Sequence, residues 1–262
     1  MLYFTVLVLA IIVLFWLIGY VYANDFSVPT VTNLSKFKKI LVVFPHADDE
    51  ALTCGGLMTV LSQQEAEVIW VVLTKGERGV EGAEFHEELK PIRVQEAQKA
   101  AKQYGVRKVI QGEFPDNAVS DHVSELEETM AKVLDEFQPD LVITYDQTGL
   151  YGHPDHIVVS EVITQLVADR PTTNLWYTSI PERRQNAINL PEHMAKDSDF
   201  KTKRVYPTHK VWIGLPNMYK KISALYAYRS QLFGFKKSMP VSQLPLWFYV
   251  SMMPYEYFYE VE

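Results

Sequence analysis

Two short polar knots in this chain hold residue types that bind metal ions and move protons. The first is Pro45-His46-Ala47-Asp48-Asp49-Glu50 and the second is Gly152-His153-Pro154-Asp155-His156. Zinc takes imidazole nitrogen and carboxylate oxygen. A catalytic zinc site usually keeps three protein ligands and one open position. His46, Asp49 and His156 supply such a set of two imidazoles and one carboxylate. Asp48, next to Asp49 but pointing elsewhere, is then free to serve as a general base. His153, one turn before His156, is placed to donate to negative charge developing on a substrate oxygen, or to protonate a leaving amine.

Both knots follow apolar runs. Ile40-Leu41-Val42-Val43 leads into the first, and Leu141-Val142-Ile143-Thr144-Tyr145 precedes the second. Such short β-branched runs read as buried parallel strands, and open α/β sheets place ligands at the carboxyl ends of their strands. Between and beyond them, strands and helices alternate. Helices are expected from Glu50 to Glu65, from Pro91 to Gly105, from Ser120 or Asp121 to Phe137, and from Ile157 to Asp169. Strands are expected at Val68–Thr74, Arg107–Gln111, Asp140–Tyr145 and Asn174–Ile180. The alternation predicts a Rossmann-like parallel sheet with helices on both faces. Further on, Pro181 to Phe200 reads as an excursion or cap, Pro216 to Phe235 as a helix, and the aromatic tail from Leu244 as a segment closing the core. Acidic residues at the end of that tail argue against contact with an anionic membrane.

The two motifs resemble the LmbE-like family, also called the PIG-L deacetylases. That family's Pro-His-Pro-Asp-Asp stands here as Pro45 to Asp49, with Ala47 in place of the second proline, and its His-Pro-Asp-His is intact as His153 to His156. The resemblance runs from about Lys39 to the carboxyl end. It implies zinc-dependent removal of an acetyl group from an N-acetylglucosamine unit. His46, Asp49 and His156 are implied to be zinc ligands, Asp48 the base and His153 the oxyanion stabiliser. Arg93 and Glu96 match the family's Arg-x-x-Glu helix, with Arg93 implied to touch substrate. Asp116 matches an Asp implied to hold sugar hydroxyls. Tyr228 stands where the family often has a His in an Ala-x-x-x-His-x-Ser-Gln segment, so the substrate implied here differs from that of relatives carrying the His. A de-N-acylase for another glycoconjugate, or a sugar- or nucleotide-binding module without turnover, are the competing readings.

The rest of the sequence bounds the setting. The chain has 262 residues and a formal net charge of −7. It lacks a long basic stretch, which excludes an ordinary nucleic-acid partner. Cys54 is the only cysteine, so no intrachain disulfide forms, and Cys54 is given no role. Leu2 to Tyr20 is an almost unbroken apolar run without charge, matching a membrane span of roughly 20 residues. With no Lys or Arg before it, an uncleaved anchor is favoured over a signal peptide. The expected organisation is an anchor at 1–23, a linker at 24–38 and a deacetylase domain at 39–262. Lys36, Lys38 and Lys39 after the span place the main domain in the cytoplasm by the positive-inside rule. His86, His122, His193 and His209 read as structural or surface residues. The oligomeric state is not encoded in any motif.

Overall fold

A computed structural model of the chain describes residues 1–79, 88–187 and 204–262. Its frame is an eight-stranded mixed sheet ordered β1-β7-β8-β6-β5-β2-β3-β4. The strands are β1 (Thr30–Val31), β2 (Lys39–Phe44), β3 (Glu67–Thr74), β4 (Lys108–Phe114), β5 (Leu141–Tyr145), β6 (Asn174–Ser179), β7 (His209–Trp212) and β8 (Tyr255–Val261). The helices are α1 (Leu2–Ala23), α2 (Asp49–Thr53), α3 (Gly55–Gln63), α4 (Leu89–Tyr104), α5 (Val123–Phe137), α6 (Pro154–Ala168), α7 (Glu182–Ala187), α8 (Gly214–Leu225), α9 (Leu232–Ser238) and α10 (Leu246–Ser251).

β2 lies between β3 and β5, parallel to both. Its Ile40 to Phe44 are fully buried, because apolar layers cover both faces of the sheet. One layer packs Ile40, Val42 and Phe44 with α3, α4, α8 and α10. The other packs Leu41 and Val43 with α5 and α6. Alternate residues of one strand thus serve opposite layers, as the period of two requires.

Three expectations need correction. The sheet is not wholly parallel, because β8 runs antiparallel to both β6 and β7. The tail does close the core, and it does so as this inserted strand, with Tyr257 and Phe258 buried. The helix expected from Glu50 breaks at Cys54, whose φ of −139° leaves the helical region. The break frees the N–H groups of Gly56 and Leu57, and both donate to the Glu256 carboxylate from β8, at 2.8 and 2.6 Å. A Cβ on Gly56 would lie 2.8 Å from Glu256 Oε1, so the approach depends on glycine. Finally, the helix expected over Pro216–Phe235 is two helices. Between them Ser230 turns inward and gives its N–H and hydroxyl to Glu96.

Within residues 24–38, read above as a linker, Thr30–Val31 pairs with β7, and Leu34 and Phe37 are buried. The excursion expected over Pro181–Phe200 opens with α7, and its remainder from residue 188 lies outside the described residues, as do His86 and His193. Helix α1 is long and apolar enough to cross a membrane.

Candidate active site

The first knot leaves the carboxyl end of β2 and the second follows β5, and these are adjacent strands. That adjacency brings together residues 110 positions apart. His46 Nδ1 and His156 Nε2 are 3.2 Å from each other. Asp49 reaches both, with Oδ2 3.5 Å from His46 Nδ1 and Oδ1 3.3 Å from His156 Nε2. The three expected ligands therefore converge.

The outer nitrogens of the two rings fix their tautomers. His156 Nδ1 lies 3.1 Å from the Gly149 carbonyl, which only accepts, so Nδ1 carries the proton and Nε2 presents a lone pair. Gly149 has φ +61°, and a Cβ there would lie 2.7 Å from His156 Cβ; the carbonyl is aimed by a conformation that suits glycine. His46 Nε2 sits 3.0 Å from Asp116 Oδ1 and 3.2 Å from Asp155 Oδ2. It donates to them and turns Nδ1 inward towards His156. Asp155 is held in turn by the N–H groups of Asn117 and Val119. A carboxylate behind a ligating histidine is the usual way a metal ligand is oriented.

Proximity alone also groups His46 with His153 and His156, and His46 with Asp116 and Asp155. The hydrogen bonds separate these groups by role. His153 Nδ1 accepts the Asp155 N–H at 3.2 Å, which leaves its Nε2 as a donor. Its ring stacks on His156 with centroids 4.6 Å apart. Burial, with His156 and His46 alongside, pushes the His153 pKa down to about 3. Burial opposes charge on His46 as well, yet Asp116, Asp155 and Asp49 carry its pKa well above the usual histidine value. For Asp49, burial is outweighed by His156 and His46, which hold its carboxyl well below the carboxylate range.

Asp48 points away from this cluster. Its φ of 107° lies in the left-handed region, a conformation that costs about 1–3 kcal/mol for a residue with a side chain. Arg93 holds it there, donating to the Ala47 carbonyl and, at 3.2 Å, to Asp48 Oδ1. Burial raises the Asp48 carboxyl to about 7, against Arg93 and with help from Asp49. From the other side the Asp48 N–H donates to Glu50 Oε2 at 3.0 Å. Glu50 Oε1 accepts from Tyr104 at 2.9 Å and Tyr228 at 2.6 Å, and all three side chains are buried. Burial pushes the Glu50 carboxyl up to about 8, with the Tyr228 hydroxyl pulling the other way. Tyr228 thus belongs to a layer behind Asp48.

The residues expected to meet substrate are largely engaged with protein. Asp116 Oδ2 accepts the Arg78 N–H at 2.8 Å while Oδ1 meets His46. Glu96 is taken by Ser230. Several neighbours carry no motif signal. Tyr145 stacks on His156 with centroids 4.4 Å apart, Tyr151 lies edge-on to His156 at 5.0 Å, and Glu77 is buried against the Asp116 N–H. Asp155 was legible only as part of its cluster, since an Asp at a helix start reads as a cap.

Comparison with known proteins agrees with this geometry. A 1D-myo-inositol 2-acetamido-2-deoxy-alpha-D-glucopyranoside deacetylase of Saccharomonospora viridis is 33% identical over 165 residues, covering 53% of this chain and 62% of that one. Across such curated relatives the chain spans between 42% and 62% of their length. Two solved structures share the fold. One is the N,N'-diacetylchitobiose deacetylase of Pyrococcus horikoshii, with a TM-score of 0.60 at 22% identity, covering 86% of this chain and 84% of that one. The other is the 4-carboxy-2-hydroxymuconate hydratase GalB of Pseudomonas putida, with a TM-score of 0.61 at 18% identity, covering 86% and 96%. A fold shared by a deacetylase and a hydratase leaves the chemistry to the site. Residues 41–167, just under half of the chain, match the family described as PIG-L: GlcNAc-PI de-N-acetylase, and that stretch holds both motifs joined in the site.

Proposed function

We propose that this chain is a zinc-dependent amide hydrolase that removes the acetyl group from an N-acetylglucosamine-containing substrate. One observation carries the metal. His46 Nδ1 and His156 Nε2 face each other at 3.2 Å beside the Asp49 carboxylate, an arrangement that takes a cation among them: a second proton on His46, or a metal ion in its place. Ligands about 2.0–2.1 Å from a tetrahedral zinc stand about 3.3 Å apart, close to the 3.2 Å between the two ring nitrogens, and Asp49 offers one oxygen to each ring, at 3.5 and 3.3 Å. These three residues would hold the ion. When bound, zinc polarises a carbonyl as a Lewis acid and lowers the pKa of a water molecule towards neutrality.

The chain's own groups do the rest. Asp48, raised towards neutrality and clamped by Arg93 and Glu50, takes the proton of the attacking water. His153 presents Nε2–H to the oxygen on which negative charge develops. The proton held by Asp48 then passes to the leaving amine, giving acetate and a free glucosamine unit. The acetamido sugar comes from the relatives: the Saccharomonospora protein is described as a deacetylase of an inositol 2-acetamido glucoside. We further propose that α1 anchors the protein as a single pass, with the catalytic domain on the cytoplasmic side as Lys36, Lys38 and Lys39 suggest.

The test is Asp48→Asn in the full chain. Asparagine tolerates the left-handed backbone but takes no proton. Zinc content should stay stoichiometric, while acetate release from N-acetylglucosaminides falls about 10²–10⁴-fold. Undiminished release with zinc bound would remove Asp48 from the reaction. Release of longer acids alone, from N-acyl analogues, would favour the broader de-N-acylase. Failure of the unmodified protein to retain any divalent ion would return it to the binding modules.

A further inference from the structure

Helix α1 does not stand clear of the domain. Phe15 stacks on Phe248 of α10, with centroids 6.0 Å apart and planes 16° from parallel. Trp16 Nε1 donates to Ser251 Oγ at 2.9 Å. Asn24, at the helix end, donates to the carbonyls of Tyr20 and Met252 at 2.7 and 2.8 Å. From Phe15 onward, α1 lies against the domain, and only Leu2–Leu14 projects. That projecting part is about 20 Å long at 1.5 Å per residue, whereas the hydrocarbon core of a bilayer is about 30 Å thick. An α1 that spans must therefore draw about 10 Å of the adjoining domain face below the headgroups.

That face is built for such a place. Beside α10, Phe233 is 76% exposed, Trp247 49% and Val241 42%. Tyr226, Leu232, Phe233, Pro245 and Leu246 line an apolar groove there, with Lys236 at its rim. At the foot of α1, Tyr20, Phe26, Tyr255 and Trp212 form a chain of ring contacts, braced from within by the buried Lys210 over Phe26 and Tyr255 at 5.4 and 4.8 Å. Aromatic rings are what protein surfaces place at the headgroup level. Of the acidic residues that argued against membrane contact, Glu256 is buried, Glu260 is beside Thr208, and Glu262 is exposed beyond the end of β8.

We propose that the face formed by α9, α10 and the loop joining them is a membrane-contacting surface, immersed in the interface of the bilayer that α1 enters. It rests on the reading of α1 as an anchor and adds that the domain lies on the membrane instead of hanging from a tether. The surface also adjoins the site: Gln231, one residue before α9, approaches the Gly79 and Arg93 contact, so the wall beside Asp48 continues into the immersed face.

Depth-resolved quenching tests this. The single native cysteine, Cys54, is fully buried, so one introduced cysteine is labelled selectively. Leu9→Cys, Phe233→Cys, Trp247→Cys and Glu128→Cys versions of the full chain each receive a polarity-sensitive fluorophore. They are then reconstituted into phosphatidylcholine vesicles containing lipids brominated near the headgroup or deep in the acyl chain. Labels at 9, 233 and 247 should lose fluorescence, those at 233 and 247 mainly to the shallow quencher, while the label at 128, on the opposite face, keeps it. Quenching at 9 with none at 233 and 247 would leave the anchor standing and overturn the docking face. Loss at none of the four would overturn the anchor and the face together. Trp247→Cys keeps the measurement decisive if Phe233→Cys does not fold.

Discussion

Replacing Tyr228 by phenylalanine removes one oxygen from a ring that is fully buried. That oxygen donates to Glu50 Oε1 at 2.6 Å, and Tyr104 donates to the same atom at 2.9 Å. Burial keeps Glu50 mainly neutral below about 8, and a hydrogen bond to a neutral group is worth about 0.5–1.5 kcal/mol. Because Tyr104 still serves Oε1 in the single variant, Tyr228→Phe should cost about 0.5–1 kcal/mol, the lower end of that range. Tyr104→Phe should cost a similar amount. Together they leave a buried carboxyl oxygen with no donor, so the double variant should lose about 1–2 kcal/mol more than the sum of the singles. Urea unfolding of all four proteins at one pH and one zinc concentration measures the coupling. The same change reaches the chemistry, since Glu50 Oε2 holds the strained Asp48 backbone. Turnover of Tyr228→Phe should fall while its zinc content does not. A Tyr228→Phe protein within about 0.3 kcal/mol of the wild type, or a purely additive double variant, would show that Glu50 does not depend on these hydroxyls.

Zinc at about 100 times its dissociation constant should raise the unfolding free energy by about 2.7 kcal/mol, seen as a higher Tm, and Asp49→Asn or His156→Ala should abolish the rise. His209 packs against Trp176 and Phe258 with no partner on Nε2. Burial, opposed by Glu260 and aided by Lys36, pushes its pKa down to about 4. Folded His209 stays neutral where the unfolded chain takes a proton, so its contribution is intact above the unfolded value of about 6.5 and is lost as pH falls towards 4. That loss is about 3 kcal/mol, and His209→Phe should show a correspondingly shallower fall in urea midpoint between pH 7 and 4.5. Lys221 and Glu256 form a buried pair at 2.6 Å. Lys221→Met alone should cost about 3–5 kcal/mol, and adding Glu256→Gln should recover part of it by removing the stranded charge.

The site was legible where its residues are local in sequence. His46, Asp48 and Asp49 share one loop and His153 and His156 another, and the apolar runs before them place both loops at the same edge of a sheet. What supports them was not legible, because it comes from far along the chain. Tyr104 and Tyr228 reach Glu50 across 54 and 178 positions, and neither has a spacing that marks it. The break at Cys54 is invisible for the same reason: only Glu256, about 200 positions on, rewards the freed N–H groups. The antiparallel β8 escaped for a different reason. Its inward residues, Glu256 and Phe258, mix charge with aromatic, so the alternation that betrays a strand is blurred by a buried carboxylate.

That carboxylate shows why so much distant structure surrounds so small a cluster. Without a metal, His46 Nδ1 keeps a second proton against His156 and Asp49, which the proposed ion would displace from the ligand set. Its arrangement must be imposed from outside. Asp155, secured by the N–H groups of Asn117 and Val119, fixes the His46 ring. Gly149 fixes the His156 ring. Glu256, charge-balanced by Lys221, fixes the start of α3, and Glu50 and Arg93 fix Asp48 between them. Each brace is a polar contact made by a residue outside the ligand set. The preorganisation of the proposed metal pocket is therefore a property of the whole sheet, including its last strand, and not of the two motifs that announce it.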